Sequence, residues 1–178
     1  LGGISDDGKY ALRCATLLPQ SGMDEALFRH ALTEVAAQAI KLLEKKGWVD
    51  RKEGKVTIHP VVRLVCRTEL KPTEESCEEF LDGIRGQYDR KQYDHAKFRQ
   101  MAEVFETASN LLEDKTGFWA SWAGYLWNEL AETQRALACN LRSVQMREQH
   151  QPDSNNLAAS YNNVGSTYGA LGDHKQAL

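Results

Sequence analysis

Apolar residues recur at three- and four-residue spacing along most of the chain, which predicts helices with one short interruption. Residues 9–18 read as a short helix ended by Pro19. A second helix starts at Ser21-Gly22-Met23-Asp24 and turns Leu27 and Phe28 inward. Thr33 caps a third, which carries Ala36, Ala39, Ile40 and Leu43. Lys45-Lys46-Gly47 closes it, basic residues and then a glycine suiting a helix C-terminus. There the period shortens. Trp48-Val49-Asp50 and Lys55-Val56-Thr57-Ile58 read as two strands around 51–54, a hairpin. Pro60 at a first helical position starts another helix through Val61, Val62, Leu64 and Val65. Pro72-Thr73-Glu74 opens the next, with Cys77, Phe80, Leu81, Ile84 and Tyr88 on one face. After a polar break at 89–94 a longer helix carries Phe98, Met101, Ala102, Phe105, Ala108 and Leu112, until Thr116-Gly117 breaks it.

The last third of the chain repeats itself. Shifted by 41 residues, Ala123-Gly124 falls on Val164-Gly165, Trp127 on Tyr168, Leu130 on Leu171 and Ala136-Leu137 on Ala177-Leu178. Recurring small and large residues at fixed offsets mark a helix-turn-helix unit stacked on a copy of itself. In the second copy Tyr161, Val164, Gly165 and Tyr168 share one helix face, and Gly165 leaves room for a second helix to approach. Leu171-Gly172-Asp173 ends that helix. The first copy departs at two positions, with Ala120 for the aromatic and Ala131 for the turn glycine.

These aromatic, Val-Gly, Tyr and Ala positions resemble the tetratricopeptide repeat, and the long spacing is similar to its kinesin-light-chain variety, whose second helix is extended. Here that helix would run from Ala136 to about Gln149, with Gln151-Pro152-Asp153 as the following turn. The resemblance implies a groove for a protein or peptide. Trp122 and Tyr125 lie beside the packing residue Trp127, where the partner helix does not cover, and align with Asn163 and Ser166. Core packing is the expectation for Trp119 and Trp127. In such repeats an asparagine can hydrogen-bond the backbone of a bound peptide, which makes Asn162 and Asn163 candidates beside Trp122, Tyr125 and Ser166. The second copy breaks off at Leu178, and the chain opens without methionine at Leu1-Gly2-Gly3, so it is read as a piece of a longer protein. The cut repeat leaves an apolar helix face that would favour self-association.

Three helices, a hairpin and a helix in residues 1–72 predict a winged-helix domain. Gly47-Trp48-Val49, then Val56-Thr57-Ile58-His59-Pro60-Val61-Val62-Arg63, resembles the winged-helix segment of the NB-ARC class of signalling ATPases. There a hydrophobic-His-Asp motif touches the β-phosphate of bound ADP and holds the protein inactive. Ile58-His59-Pro60 matches it with proline in place of aspartate, so His59 alone is carried over. The residues by themselves equally describe a histidine satisfied at a strand-helix junction. The resemblance implies ADP or ATP in a full-length protein with an upstream NTPase domain, and no cofactor for this chain.

Charge and candidate chemistry change this picture little. The net charge is −3, with 12 Lys/Arg against 9 Asp/Glu in residues 1–72 and 10 against 16 thereafter, an imbalance that demands neither nucleic acid nor membrane. A winged helix raises DNA binding. Yet 33–41 offers Gln38 nearly alone to read base edges, and phosphate contacts would rest on Lys41, Lys45, Lys46, Arg51, Lys52 and Lys55. Cys14, Cys66, Cys77 and Cys139 have no metal-site spacing and read as reduced thiols, consistent with the cytoplasm. Gly3 to Lys9 fits a phosphate-loop pattern, but Tyr10 stands where a magnesium-binding hydroxyl belongs and Asp6 and Asp7 would repel phosphate. The acidic run Glu74, Glu75, Glu78, Glu79 reads as a solvated helix face. The five histidines lack paired spacing, so no metal site and no catalytic set is expected.

The expectation is a mainly α protein: a winged-helix domain with a small β-hairpin at 1–72, a helical bridge at 73–116, and tetratricopeptide-like repeats at 117–178. Its function would be partner sensing and regulation in a nucleotide-switched signalling protein, not catalysis. The alternative is a DNA-binding winged-helix regulator with a repeat sensor.

Overall fold

The computed structural model describes residues 2–173 and 175–177. The expected match of Leu178 to Leu137, and His174, lie outside them. The chain is mainly helical with a small three-stranded antiparallel sheet, and divides into two compact units, Leu1–Gln100 and Met101–Leu178.

The first unit contains α1 (Asp6–Ala15), β1 (Met23–Asp24), α2 (Glu25–Ala31), α3 (Glu34–Lys45), β2 (Val49–Lys52), β3 (Lys55–Ile58), α4 (Pro60–Glu69), α5 (Glu74–Arg85) and the first turns of α6 (His95–Leu111). Helix starts are set by side chains that accept otherwise orphaned backbone N–H groups: Ser5 from Gly8, Asp24 from Leu27, Thr33 from Ala36, and Thr73 from Ser76. α1 is the central element and packs on α3, α4 and α5. Its Ala11, Leu12, Cys14 and Ala15 are buried, as are Ala36, Ile40 and Leu43 of α3 and Cys77, Phe80, Leu81 and Ile84 of α5. Phe28 of α2 meets Phe80 edge to face, ring centroids 5.6 Å apart.

Boundaries differ from the sequence expectation, among them that of the hairpin, whose expected turn residues Arg51 and Lys52 belong to β2. The first helix begins at Asp6 and ends at Ala15, because Ser5 caps it early and Thr16 turns its hydroxyl onto the Arg13 carbonyl. Leu17 and Leu18 are buried outside any helix. Asp24 opens the second helix as its N-cap, as expected, but Met23 and Asp24 also form β1, which pairs antiparallel with β3 (Met23 opposite Val56). The expected hairpin is therefore two strands of three, in the order β1-β3-β2. A two-residue strand is too short to show a period, and Met23 is buried by the pairing.

α4 is held by charge more than by apolar packing. The Arg63 guanidinium donates to the carbonyls of Thr16 (3.1 Å) and Leu18 (2.7 Å), and Arg67 adds a bond to Thr16 (3.3 Å). Cations thus close the carbonyl end of α1, where the helix dipole favours them. Burial pulls the Arg63 guanidinium below its ordinary value, and the Arg67 charge acts the same way. With these arginines inward, Cys66 is the buried residue of α4, while Val61, Leu64 and Val65 face solvent. A second charge cluster ties strand to helices: Arg51 of β2 donates to Glu25 (2.8 Å) and Glu44 (2.6 Å).

The second unit contains the rest of α6, then α7 (Phe118–Glu129), α8 (Thr133–His150) and α9 (Asn155–Ala170), with α8 packed against both α7 and α9. Phe105 stacks on Trp119 with centroids 5.3 Å apart, and both are buried. Trp127 is fully enclosed; its indole N–H donates to Glu106 (3.0 Å), and Glu106 also accepts from Arg135, whose guanidinium lies over the Trp127 ring. Trp119 and Trp127 are core residues, as their spacing predicted.

Two pairs of positions separated by 41 share a local geometry in this unit. A Cβ on Gly124 would fall 2.2 Å from Asn140 Oδ1, and one on Gly165 would fall 3.0 Å from the carbonyl of Ala177. Each small residue lets the following segment approach. After each helix comes one left-handed residue, Ala131 (φ 58°) and Gly172 (φ 79°). Tyr161 departs from expectation. It shares a face with Val164 and Tyr168 by spacing, but it is 49% exposed, its hydroxyl donating to Glu148, while Val164 is buried. Ser160 and Thr167 take the interior instead.

Candidate partner-binding site

The geometry of the possible groove follows from how α9 is seated. Its inner side meets a polar seam on α8 made of Asn140, Ser143 and Arg147, all buried. Asn140 donates to Thr167 Oγ1 (3.0 Å), which also accepts from Asn128 of α7 (3.3 Å) and donates to the Asn163 carbonyl (2.7 Å). Ser143 donates to the Gly117 carbonyl (2.9 Å) or shares a hydrogen with Ser160 (3.0 Å). Arg147 donates to the carbonyls of Thr116 (2.9 Å) and Asn156 (2.8 Å) and to the Ser160 hydroxyl. Burial pulls the Arg147 guanidinium below its ordinary value, with the Asp114 carboxylate acting the other way. Asp114 is itself fully buried and accepts from the N–H groups of Phe118 and Ala120, fixing the start of α7. The order of these contacts makes α7 and α8 antiparallel, and α8 and α9 antiparallel, so α7 and α9 run the same way.

Because Ser160, Val164 and Thr167 face the seam, helix periodicity turns Asn162, Asn163 and Ser166 to solvent, and all three are exposed. Residues 155–170 contain no charged side chain, so this face offers amides, a hydroxyl and small residues only. The corresponding positions of α7 are aromatic. Trp122 and Tyr125 are half-buried, set edge to face with centroids 5.9 Å apart, and Trp122 also leans on Phe105 at 6.2 Å. All five groove candidates therefore lie in one unit, three on α9 and two on α7. The buried seam was missed by the sequence reading. Its signal was present: Asn140, Ser143 and Arg147 lie on the same stripe as the buried Ala136, Cys139 and Val144.

His59 lies apart from these residues, in the first unit. It is exposed at the junction of β3 and α4 and is the N-cap of α4, its ring Nδ1 accepting from the Val61 N–H at 3.3 Å. That bond pairs the ring with a backbone N–H at the strand-helix junction. Such an arrangement leaves Nε2 to carry the ring hydrogen.

Some of the other charged positions are already engaged. Arg51, counted among possible phosphate contacts, is held by Glu25 and Glu44. α3 exposes Val35 and Leu42 beside Gln38, Lys41 and Lys45. In the phosphate-loop look-alike, Ser5 caps α1 and Lys9 is paired with Asp6 at 2.9 Å. A cleft of about 380 Å³ in the first unit sets Asp24 and Asp94 against His30 and Lys97, but both aspartates cap helices. Among the described residues no group of three or more His, Cys, Asp or Glu could hold a metal ion, and no helix is long and apolar enough to cross a membrane. The four cysteines are free and buried.

No protein-family model, curated protein or solved structure matches the chain.

Proposed function

We propose that the chain is a protein-interaction and regulatory module of a nucleotide-switched signalling protein, with residues 1–72 a winged-helix element for autoinhibition and residues 117–178 tetratricopeptide-like repeats that sense a protein or peptide. The observation that carries this reading is the solvent face of α9, where Asn162, Asn163 and Ser166 are exposed on a helix without charge. An amide offers a donor and an acceptor together, which suits the alternating N–H and C=O groups of an extended peptide. The aromatic pair Trp122 and Tyr125 adds apolar surface at the equivalent positions of α7. The element order of residues 6–69 and the shared roles of Gly124 and Gly165 support the two halves of the proposal. ADP or ATP enters through an NTPase domain in a longer protein, with His59 as the residue facing it.

The test is peptide binding. A displayed library of short unstructured peptides is selected against the chain, and the recovered peptides are measured by calorimetry with and without added salt. Asn162→Ala together with Asn163→Ala should weaken binding about tenfold, each lost hydrogen bond contributing about 0.5–1.5 kcal/mol. Salt should have little effect, and Gln134→Ala on α8 should leave binding unchanged. Peptides that bind equally well to both variants would remove α9 from the site. Nanomolar binding of a selected duplex in physiological salt would favour a DNA-binding regulator instead.

A further inference from the structure

We draw no further inference here: the strongest candidate, the uncharged apolar face of α4 formed by Val61, Leu64 and Val65, carries nothing because nothing in the structure shows what covers it.

Discussion

Replacing Arg147 by methionine tests whether the polar seam of α8 holds the second unit together. Methionine keeps most of the side-chain length and removes every donor. The carbonyls of Thr116 and Asn156 would each lose their Arg147 donor, while the Ser160 hydroxyl keeps Ser143. Both bonds are part-buried and come from a charged donor, and losing such a bond costs about 1.5–3 kcal/mol. One term opposes this: methionine does not have to be desolvated as a charge, and Arg147 is only 6% exposed. The expected net loss is about 2–4 kcal/mol, the two lost hydrogen bonds from a charged donor outweighing the relief. Trp119, Trp122 and Trp127 all lie on α7, so intrinsic fluorescence during urea unfolding reports chiefly on this unit. With a denaturant slope of about 2 kcal/mol/M, the midpoint should fall by about 1–2 M. Arg147→Lys, with one ammonium for three acceptors, should lie between the two. A methionine variant within about 0.5 kcal/mol of the parent would mean that charge burial cancels the hydrogen bonds, and that the seam does not hold the stack.

Ala131→Gly should stabilise the same unit by about 0.5–1 kcal/mol, since a left-handed backbone costs an alanine more than a glycine; the same denaturation curve checks it, and a loss of stability would show that Ala131 packs better than its geometry suggests. In the first unit, Arg51 and then Arg29 hold the Glu25 carboxyl below its ordinary 4.5. Its contribution is therefore present above that value and disappears as pH falls through the lower folded value, so Glu25→Gln should flatten the acid limb of a stability–pH curve and leave its slope near neutrality unchanged. All four cysteines are buried, and burial pushes the Cys139 thiol up to about 12, so a thiol reagent should react with none of them quickly in the native protein and with all of them in denaturant; rapid native labelling at Cys139 would show that α8 opens locally.

What could be read from the sequence was what repeats with a period. The faces of α3, α5 and α6 follow from apolar spacing because burial and the 3.6-residue turn act together, and Thr33 and Thr73 mark their helix starts by capping chemistry. The hairpin was legible for the same reason at period two. β1 was not, since two residues pair only because β3 lies beside them. Spacing puts Tyr161, Val164 and Tyr168 on one face but does not show which of them is covered: the α8 seam takes the smaller hydroxyl residues Ser160 and Thr167 and leaves Tyr161 exposed. The exposed positions Asn162, Asn163 and Ser166 follow from the same periodicity, but their ligand is not written in it. His59 as an N-cap needed the direction of the ring, which composition does not carry.

The seam of α8 also limits how such a protein can change. A greasy joint between helices tolerates sliding by a turn, because one apolar contact replaces another. Here a one-turn slip of α9, about 5.4 Å, would carry Ser160 and Thr167 away from Arg147 and Asn140 and strand several buried donors at once. α9 is keyed to its neighbour α8. Inserted after a different helix it would bring its own unmet hydrogen bonds, so units of this kind cannot be shuffled freely, and a viable graft has to move the lock with the key: α8 and α9 together.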